Sequence, residues 1–225
     1  MKRPVRGVKD NRILNDLQRR FLQEFVLSDI SYYFRLSGGT ALSAFYLEHR
    51  RSEDIDFFSS EKIPVYIIER FLKSLPFVKE INRTKLYDRN IFLLDSKDDR
   101  LLKVEFTYYP LRLIEEVKIV DGLRIEGFMD IVINKLCAIS DRVEPKDYVD
   151  VYFAIKNEGL SLERLFILAE KKCDIAGIRH ILKSRLIQVP EDIEKLPLLI
   201  DVNKKEVEDF FSDEIRKIVE SEIDT

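Results

Sequence analysis

The sequence lacks the features of membrane-spanning proteins, of secreted proteins and of proteins with Cys or His metal sites. No apolar run approaches the roughly 18 residues that a membrane span needs, and the basic segment 1–9 has no apolar stretch like that of a signal peptide. We therefore expect a cytoplasmic protein with no membrane partner. The two cysteines, Cys137 and Cys173, lack metal-like spacing and are expected to be free thiols. His49 and His180 have no catalytic or metal partner at suitable spacing. His49 is expected at the surface, with contact to substrate or nucleotide as the alternative.

Neither sign of charge dominates the chain, which has 38 Lys and Arg, 41 Asp and Glu, and a formal net charge of -3. This balance neither demands nor excludes a nucleic-acid partner. Basic residues do gather near the N-terminus, where steering of RNA and solvation of a helix explain them equally well. They are Lys2, Arg3, Arg6, Lys9, Arg12, Arg19 and Arg20.

Hydrophobic residues make up 45% of the 225 residues, enough for a sizeable core in one large domain or two small ones. Hydrophobic periodicity predicts a segment of mixed helices and strands at 1–126, followed by a helical segment at 127–225. The predicted helices lie at 10–27, 40–47, 62–74, 128–141, 146–157, 161–173, 177–187 and 203–222. The predicted strands lie at 32–36, 54–58, 77–81, 85–87, 91–94 and 101–108, with a hairpin turn at 96–100.

A Gly-Gly-Thr sequence stands at the predicted start of a helix. Glycine lets the backbone approach a ligand closely, and exposed amides at a helix N-terminus can bind anionic oxygens. Gly38, Gly39 and Thr40 are therefore candidates for holding a phosphate, with a hydrogen bond from the threonine hydroxyl. A plain strand-to-helix turn is the alternative interpretation.

Two aspartates follow on a predicted strand. Because side chains alternate along a strand, Asp54 and Asp56 face the same side while Ile55 points into the core. Two neighbouring carboxylates repel each other unless a cation lies between them, and Mg²⁺ prefers such oxygen ligands. Glu105 is the best candidate for a third metal carboxylate, and strand alternation places it on one face with Lys103. A surface glutamate is the alternative for Glu105.

Lys135 lies on an otherwise apolar helical face, with Ile131, Val132, Ala138 and Ile139 three or four residues away. A lysine there must pair or extend to solvent, because burying an unpaired charge is costly. Its ammonium can contact the phosphates of a nucleoside triphosphate, or it can form a structural ion pair with Asp147 or Asp150. Arg142, in the turn between the two helices, can reach a phosphate or lie at the surface.

The order of these motifs resembles the DNA polymerase β superfamily of nucleotidyltransferases. This resemblance implies an α+β fold with a mixed sheet and flanking helices, followed by a helical C-terminal half. More narrowly, Gly38-Gly-Thr-Ala-Leu42, Arg51-Ser-Glu-Asp-Ile-Asp-Phe57 and the segment 130–152 resemble the AbiEii-type toxins of type IV toxin–antitoxin systems. The resemblance implies that Gly39 and Thr40 hold nucleotide phosphates, together with Gly38, and that Arg142 and Asp150 assist in binding.

The same resemblance implies the catalytic and metal sites. Asp54 and Asp56 would hold Mg²⁺ or Mn²⁺, with Glu105 as a further metal ligand. Lys135 and Asp147 would be contributed to the site by the helical domain, with Asp150 as structural support.

The implied reaction moves a nucleoside monophosphate from a nucleoside triphosphate such as ATP, GTP or CTP to a tRNA 3′ end or a protein, and the implied partner is a cognate antitoxin. Three alternatives remain open at this point: a nucleotide-sugar glycosyltransferase, a non-catalytic nucleotide- or partner-binding member, and a helical protein whose Asp-x-Asp is incidental.

Overall fold

A computed structural model describes residues 7–223 of the protein. The chain divides into two compact units between Phe128 and Met129. The first unit contains a seven-stranded sheet and three α-helices. Its helices are α1 (Asp16–Val26), α2 (Gly38–Leu42) and α3 (Val65–Ser74). Its strands are β1 (Arg35–Ser37), β2 (Ile55–Ser59), β3 (Val78–Leu86), β4 (Arg89–Ser96), β5 (Leu101–Tyr108), β6 (Lys118–Val120) and β7 (Leu123–Ile125).

The strand order across the sheet is β3-β4-β5-β2-β1-β7-β6. The pairs β2–β5 and β1–β7 are parallel, and the others are antiparallel. This mixed order places β2, the strand that begins directly after Asp54, between β1 and β5. The side chains of β1 and β5, two strands that are separated in the sequence, therefore become neighbours of Asp56.

One face of the sheet is apolar because alternate residues of β2 and β5 are buried hydrophobic residues, including Phe57 and Phe106. Phe57 stacks on Phe25 of α1 and on Phe106 of β5, with ring centroids 4.1 and 5.2 Å apart. Phe71 of α3 meets the Phe25 ring edge-on at 5.7 Å. These rings are buried, so the alternation of the strands turns the intervening residues, including Asp56 and Glu105, to the opposite face.

The structure corrects the prediction of a strand at 32–36. Residues Asp29–Tyr33 form a 3₁₀-helix and only Arg35–Ser37 form β1. Aromatic content was a poor guide here because Tyr32 and Tyr33 lie largely in solvent, so no packing holds them in a sheet. The helix predicted at 40–47 is α2 followed by a turn of π-helix over Ser43–Leu47.

The hairpin β6–β7 was missed by the sequence analysis. Its turn contains Asp121 and Gly122, both with positive φ (50° and 82°). Asp-Gly is a strong signal for a two-residue hairpin turn, and the short flanking strands hid it. The hairpin turn predicted at 96–100 is confirmed, with the amide of Ser96 donating to the carbonyl of Arg100 at 2.9 Å.

The second unit is helical, as predicted, and no strand occurs within residues 129–223. Its α4 begins at the unit boundary. Pro145 opens α5, and Gly159 ends it in the left-handed conformation (φ 62°). The helices are α4 (Phe128–Asp141), α5 (Pro145–Glu158), α6 (Leu162–Lys172), α7 (Ile178–Leu186) and α8 (Lys204–Ile223), with a 3₁₀-helix at Glu191–Lys195.

The expectation of free thiols is wrong in this structure. Cys137 of α4 and Cys173, which follows α6, form a disulfide with Cα atoms 6.3 Å apart. Their separation of 36 residues in sequence gave no indication of this, because only the packing of α4 against the end of α6 brings them together. Within residues 7–223 no helix is both long enough and apolar enough to cross a membrane.

Candidate active site

Polar side chains form one row across four strands, on the face opposite the phenylalanines. Asp56 on β2 lies opposite Glu105 on β5 and opposite Ser37 on β1. Ser37 donates a hydrogen bond to Glu126, which directly follows β7. The sheet register thus assembles a polar row from residues 37, 56, 105 and 126, three of them acidic, which are far apart in sequence.

Gly38 makes room for the carboxylate of Asp56. Its φ is +68°, a conformation that favours glycine, and a Cβ atom there would lie only 2.0 Å from Asp56 Oδ2. The glycine turn and the aspartate therefore form one packed unit. The two motifs, which the sequence links only by their order along the chain, are therefore in direct contact.

Gly39 likewise leaves room for side chains of the basic loop that precedes the aspartates. A Cβ at Gly39 would lie 2.5 Å from Arg50 Nη2 and 3.0 Å from Ser52 Oγ. Arg50 is buried, with 3% of its surface exposed, and Arg51 is exposed. The surface position expected for His49 is wrong, because this loop folds under the glycine turn and His49 is fully buried.

The backbone just before β2 is held by two buried polar side chains. Thr40 donates its hydroxyl to the carbonyl of Asp54, and Gln18 of α1 donates to the carbonyls of Ser52 and Glu53 at 2.8 and 3.1 Å. Thr40 thus positions Asp54, and a phosphate contact by its hydroxyl stays a prediction. Gln18 was missed by sequence analysis. It occupies an apolar-face position of α1, which is the one signal that marks it.

Lys103 joins two of the carboxylates on this face. Its Nζ lies 2.7 Å from Glu105 Oε1 and 3.2 Å from Asp54 Oδ2. Partial burial, which alone would lower the pKa of Lys103, is outweighed by its hydrogen bonds and charge interactions with Glu105 and Asp54, so the pKa lies above its ordinary value. Glu105 and Lys103 share the face that strand alternation predicted.

Arg35 and Glu126 form a buried ion pair that the sequence analysis did not find. Arg35 Nε lies 3.3 Å from Glu126 Oε1, and both side chains are almost fully buried. Tyr46 also donates its hydroxyl to the Glu126 carbonyl at 2.7 Å. Because Ser37 bonds the same carboxylate, this cluster anchors the strand end that leads directly into Gly38.

In the helical unit, Lys135 is held by two buried aspartates. Its Nζ lies 2.7 Å from Asp147 Oδ1 and 2.9 Å from Asp150 Oδ2. Arg142 also reaches Asp147, with Nη2 2.9 Å from Oδ2. Asp147 therefore lies at the centre of the cluster. The structure brings together all four residues that the sequence selected in this unit, and their catalytic roles stay predictions.

A second buried ion pair joins α4 to α6 in the same unit. Lys172 Nζ lies 2.6 Å from Asp130 Oδ1, and both side chains are at most 2% exposed. Sequence analysis missed this pair because Lys172 falls near a helix end, where a basic residue is ordinary. Like the Lys135 cluster, this pair joins a buried lysine to a buried aspartate.

Three of the basic residues near the N-terminus contact this chain's own groups. Arg12 pairs with Glu48, Arg19 pairs with Asp16, and the Arg20 guanidinium lies 4.5 Å from the centre of the Phe77 ring. Lys2, Arg3 and Arg6 lie outside the described residues. Steering of RNA by this region stays a prediction.

Comparison with known proteins identifies the family. The model of the family described as "Nucleotidyl transferase AbiEii toxin, Type IV TA system" matches residues 20–224. An uncharacterized protein of Aquifex aeolicus (strain VF5) is 33% identical over 214 residues, which are 93% of this chain and 100% of that protein.

Two solved structures from Helicobacter pylori share the fold. JHP933 matches with a TM-score of 0.59 and 23% identity, covering 92% of this chain and 94% of that chain. A second structure matches with a TM-score of 0.59 and 24% identity, covering 92% and 97%. The predicted fold class is thereby confirmed. Since the family match includes the Gly-Gly-Thr turn, the paired aspartates and the Lys135 segment, the chain belongs to the AbiEii family of type IV toxin–antitoxin toxins and is a nucleotidyltransferase.

Proposed function

We propose that this enzyme transfers a nucleoside monophosphate from a nucleoside triphosphate to an acceptor hydroxyl on a tRNA 3′ end or on a protein. The observation that carries the proposal is the placement of the Asp56 carboxylate directly against the Gly38 turn, beside Asp54, on the polar face of the sheet. The backbone that would bind phosphate and the oxygens that would bind a metal are thus adjacent.

The two carboxylates at the start of β2 suit a hard divalent cation. Asp54 and Asp56 are both partly exposed, and Mg²⁺ or Mn²⁺ is commonly held by one or two carboxylates together with substrate phosphates. Such an ion would neutralise charge that develops on the transferring phosphate and the pyrophosphate leaving group. Within residues 7–223, no three or more His, Cys, Asp and Glu side chains group as a metal cage, so the substrate itself would complete the coordination.

The protein's own groups would position the reactants. The backbone at Gly38 and Gly39 would approach the phosphates closely, because neither residue has a Cβ in the way. Asp56 is the candidate to accept the proton of the attacking hydroxyl. Thr40 would act through its hydrogen bond to the Asp54 carbonyl.

Lys135 and Asp147 are proposed to take part in the reaction on the basis of the family resemblance. A substitution of Lys135 by alanine is a poor test, because it would leave the buried Asp147 and Asp150 without that ammonium and destabilise the fold by about 3–5 kcal/mol. Lys135→Arg retains the charge and changes its geometry. Lys172→Arg is the matched control, since Lys172 forms an equally buried pair with Asp130. A role in transfer predicts that only Lys135→Arg lowers the rate in protein that remains folded.

The direct test is transfer of label from α-labelled nucleoside triphosphates, supplied singly with Mg²⁺ and total RNA. We expect Asp56→Asn to reduce the rate at least about 100-fold, equivalent to about 2.7 kcal/mol of transition-state stabilisation. Asp98→Asn, in the exposed 96–100 turn, is the control and should leave the rate unchanged. Label found in RNA or in protein identifies the acceptor. Transfer that survives Asp56→Asn would refute the proposed site.

Family membership makes a cognate antitoxin a further proposed partner. Expression of the wild-type chain should slow growth of the host cell, and Asp56→Asn should relieve the effect at equal protein level. Growth arrest that is equally strong with Asp56→Asn would separate toxicity from nucleotidyl transfer.

A further inference from the structure

Lys103 occupies an unusual position among the carboxylates of the site. It lies two residues before Glu105 on β5, so both side chains share the polar face of the sheet. The parallel register of β2 and β5 then brings Lys103 beside Asp54. The ammonium consequently lies between two of the three carboxylates that the sequence selected as metal ligands, 2.7 Å from Glu105 and 3.2 Å from Asp54.

Glu105 is engaged by cations through both of its oxygens. Oε1 lies 2.7 Å from Lys103, and Oε2 lies 3.9 Å from Nη1 of Arg89 on β4. The Glu105 side chain is only 11% exposed, so these contacts are shielded more than an ordinary surface pair is. Glu105 as a metal ligand stays a prediction, and this geometry favours a different role for it.

We propose that Lys103 is a fixed cation of the active site that takes the place of one metal ion, with Glu105 holding Lys103 and with Asp54 and Asp56 binding a single divalent ion. This inference rests on the proposed function. It agrees with the absence, within residues 7–223, of a cage of three or more metal-binding side chains.

The arrangement has a chemical consequence for the bound nucleotide. An ammonium has three N–H donors, and the contacts to Asp54 and Glu105 account for two. The third donor is then suited to an anionic oxygen of the nucleotide phosphates. A lysine supplies this charge permanently, whereas a metal ion must be recruited from solution at every exchange.

The experiment measures how many Mn²⁺ ions bind per chain, by calorimetric titration and by electron paramagnetic resonance of free Mn²⁺, in the absence of nucleotide. The variants are Lys103→Met, Lys103→Arg and, as an exposed control on β3, Lys79→Met, whose partner Asp99 lies 3.6 Å away at the surface. We expect one ion for the wild type, Lys103→Arg and Lys79→Met. Lys103→Met should bind two ions, or one ion at least tenfold more tightly, because the variant leaves Asp54 and Glu105 without the competing ammonium.

Two outcomes would overturn the inference: two ions bound by the wild type, or the same stoichiometry and affinity in Lys103→Met as in the wild type. Failure of the proposed function looks different, because a wild type that binds no Mn²⁺ alone and none with a nucleoside triphosphate would remove the metal site altogether. Thermal unfolding of the metal-free proteins provides a second measurement. Lys103→Met should melt below the wild type and gain more from added Mn²⁺, whereas equal gains would contradict the role of Lys103 as a counter-ion.

Discussion

Replacement of Gly38 by alanine tests whether the glycine turn and the aspartates form one unit. Alanine at φ +68° carries a left-handed backbone penalty of roughly 1–2 kcal/mol. Its Cβ would also lie 2.0 Å from Oδ2, 2.8 Å from Cγ and 2.9 Å from Cβ of Asp56. The nearest atom is the end of a side chain, so the least costly relief is rotation of the Asp56 carboxylate out of its place.

Gly177 provides a matched control in the helical unit. It has the same φ of +68°, and a Cβ there would meet nothing within 4 Å. Gly177→Ala should therefore cost only the backbone penalty, and Gly38→Ala should cost about 1–2 kcal/mol more in urea unfolding, because the Asp56 Cβ contact persists after the carboxylate rotates. Mn²⁺ binding and nucleotidyl transfer should fall in Gly38→Ala about as far as in Asp56→Asn, and both should be normal in Gly177→Ala.

A double-mutant cycle separates the clash from the backbone term. In an Asp56→Ala background the contacts to Oδ2 and Cγ no longer exist, so Gly38→Ala should cost less there than in the wild type. Equal costs in both backgrounds, or a Gly38→Ala protein that binds Mn²⁺ and transfers nucleotide at the wild-type level, would refute the coupling of the turn to the carboxylate proposed to bind metal.

Three further predictions concern buried groups. Glu126→Ala should lower the free energy of unfolding by about 3–5 kcal/mol, measured in urea, because it removes the carboxylate that the buried Arg35 faces. Tyr148→Phe should cost about 1 kcal/mol at pH 7 through loss of the hydrogen bond to the Arg185 carbonyl. Burial raises the pKa of Tyr148, so the folded state favours the neutral phenol. The contribution of Tyr148 to the free energy of unfolding is therefore complete below about pH 10 and is lost as pH rises through the folded-state pKa. The stability difference between the wild type and Tyr148→Phe should shrink over that range. Reduction of the Cys137–Cys173 disulfide should lower the free energy of unfolding by up to about 4 kcal/mol, since the disulfide closes a loop of 36 residues.

Each of these predictions has an outcome that contradicts it. A Glu126→Ala protein as stable as the wild type would show that Arg35 finds other partners. A stability difference for Tyr148→Phe that stays constant between pH 8 and pH 11 would exclude titration of the buried phenol. Identical melting temperatures with and without dithiothreitol, with free thiols confirmed by labelling after reduction, would show that the disulfide adds nothing to stability.

The sequence predicted the local structure well where one short segment contains both the signal and its cause. The Gly-Gly-Thr turn, the alternation that separates Asp56 from Phe57, and the helical spacing around Lys135 are local properties of the chain. Their interpretation requires only the periods of helix and strand, 3.6 and 2 residues. The helices of the second unit were likewise predicted within a few residues of their observed ends.

Segments whose conformation depends on distant neighbours were predicted less well. Tyr32 and Tyr33 have strand-forming side chains, and they form a 3₁₀-helix because they lie in solvent with no sheet neighbour. His49 was expected at the surface, and it is buried because its loop folds beneath a glycine turn that leaves room for Arg50. The Cys137–Cys173 pair depends on how α4 and α6 pack.

The sequence by itself determined which side chains face together within each strand and helix, because that property follows from backbone geometry over a few residues. The tertiary structure alone decided which strands are neighbours, and therefore that Asp56 lies between Ser37 and Glu105 and that Lys103 reaches both Asp54 and Glu105. Sheet order and register are set by burial of the whole apolar face, a sum over many residues that no single motif contains. The difference matters for the proposed function, because the ammonium beside Asp54 and Glu105 would change how these carboxylates bind a metal.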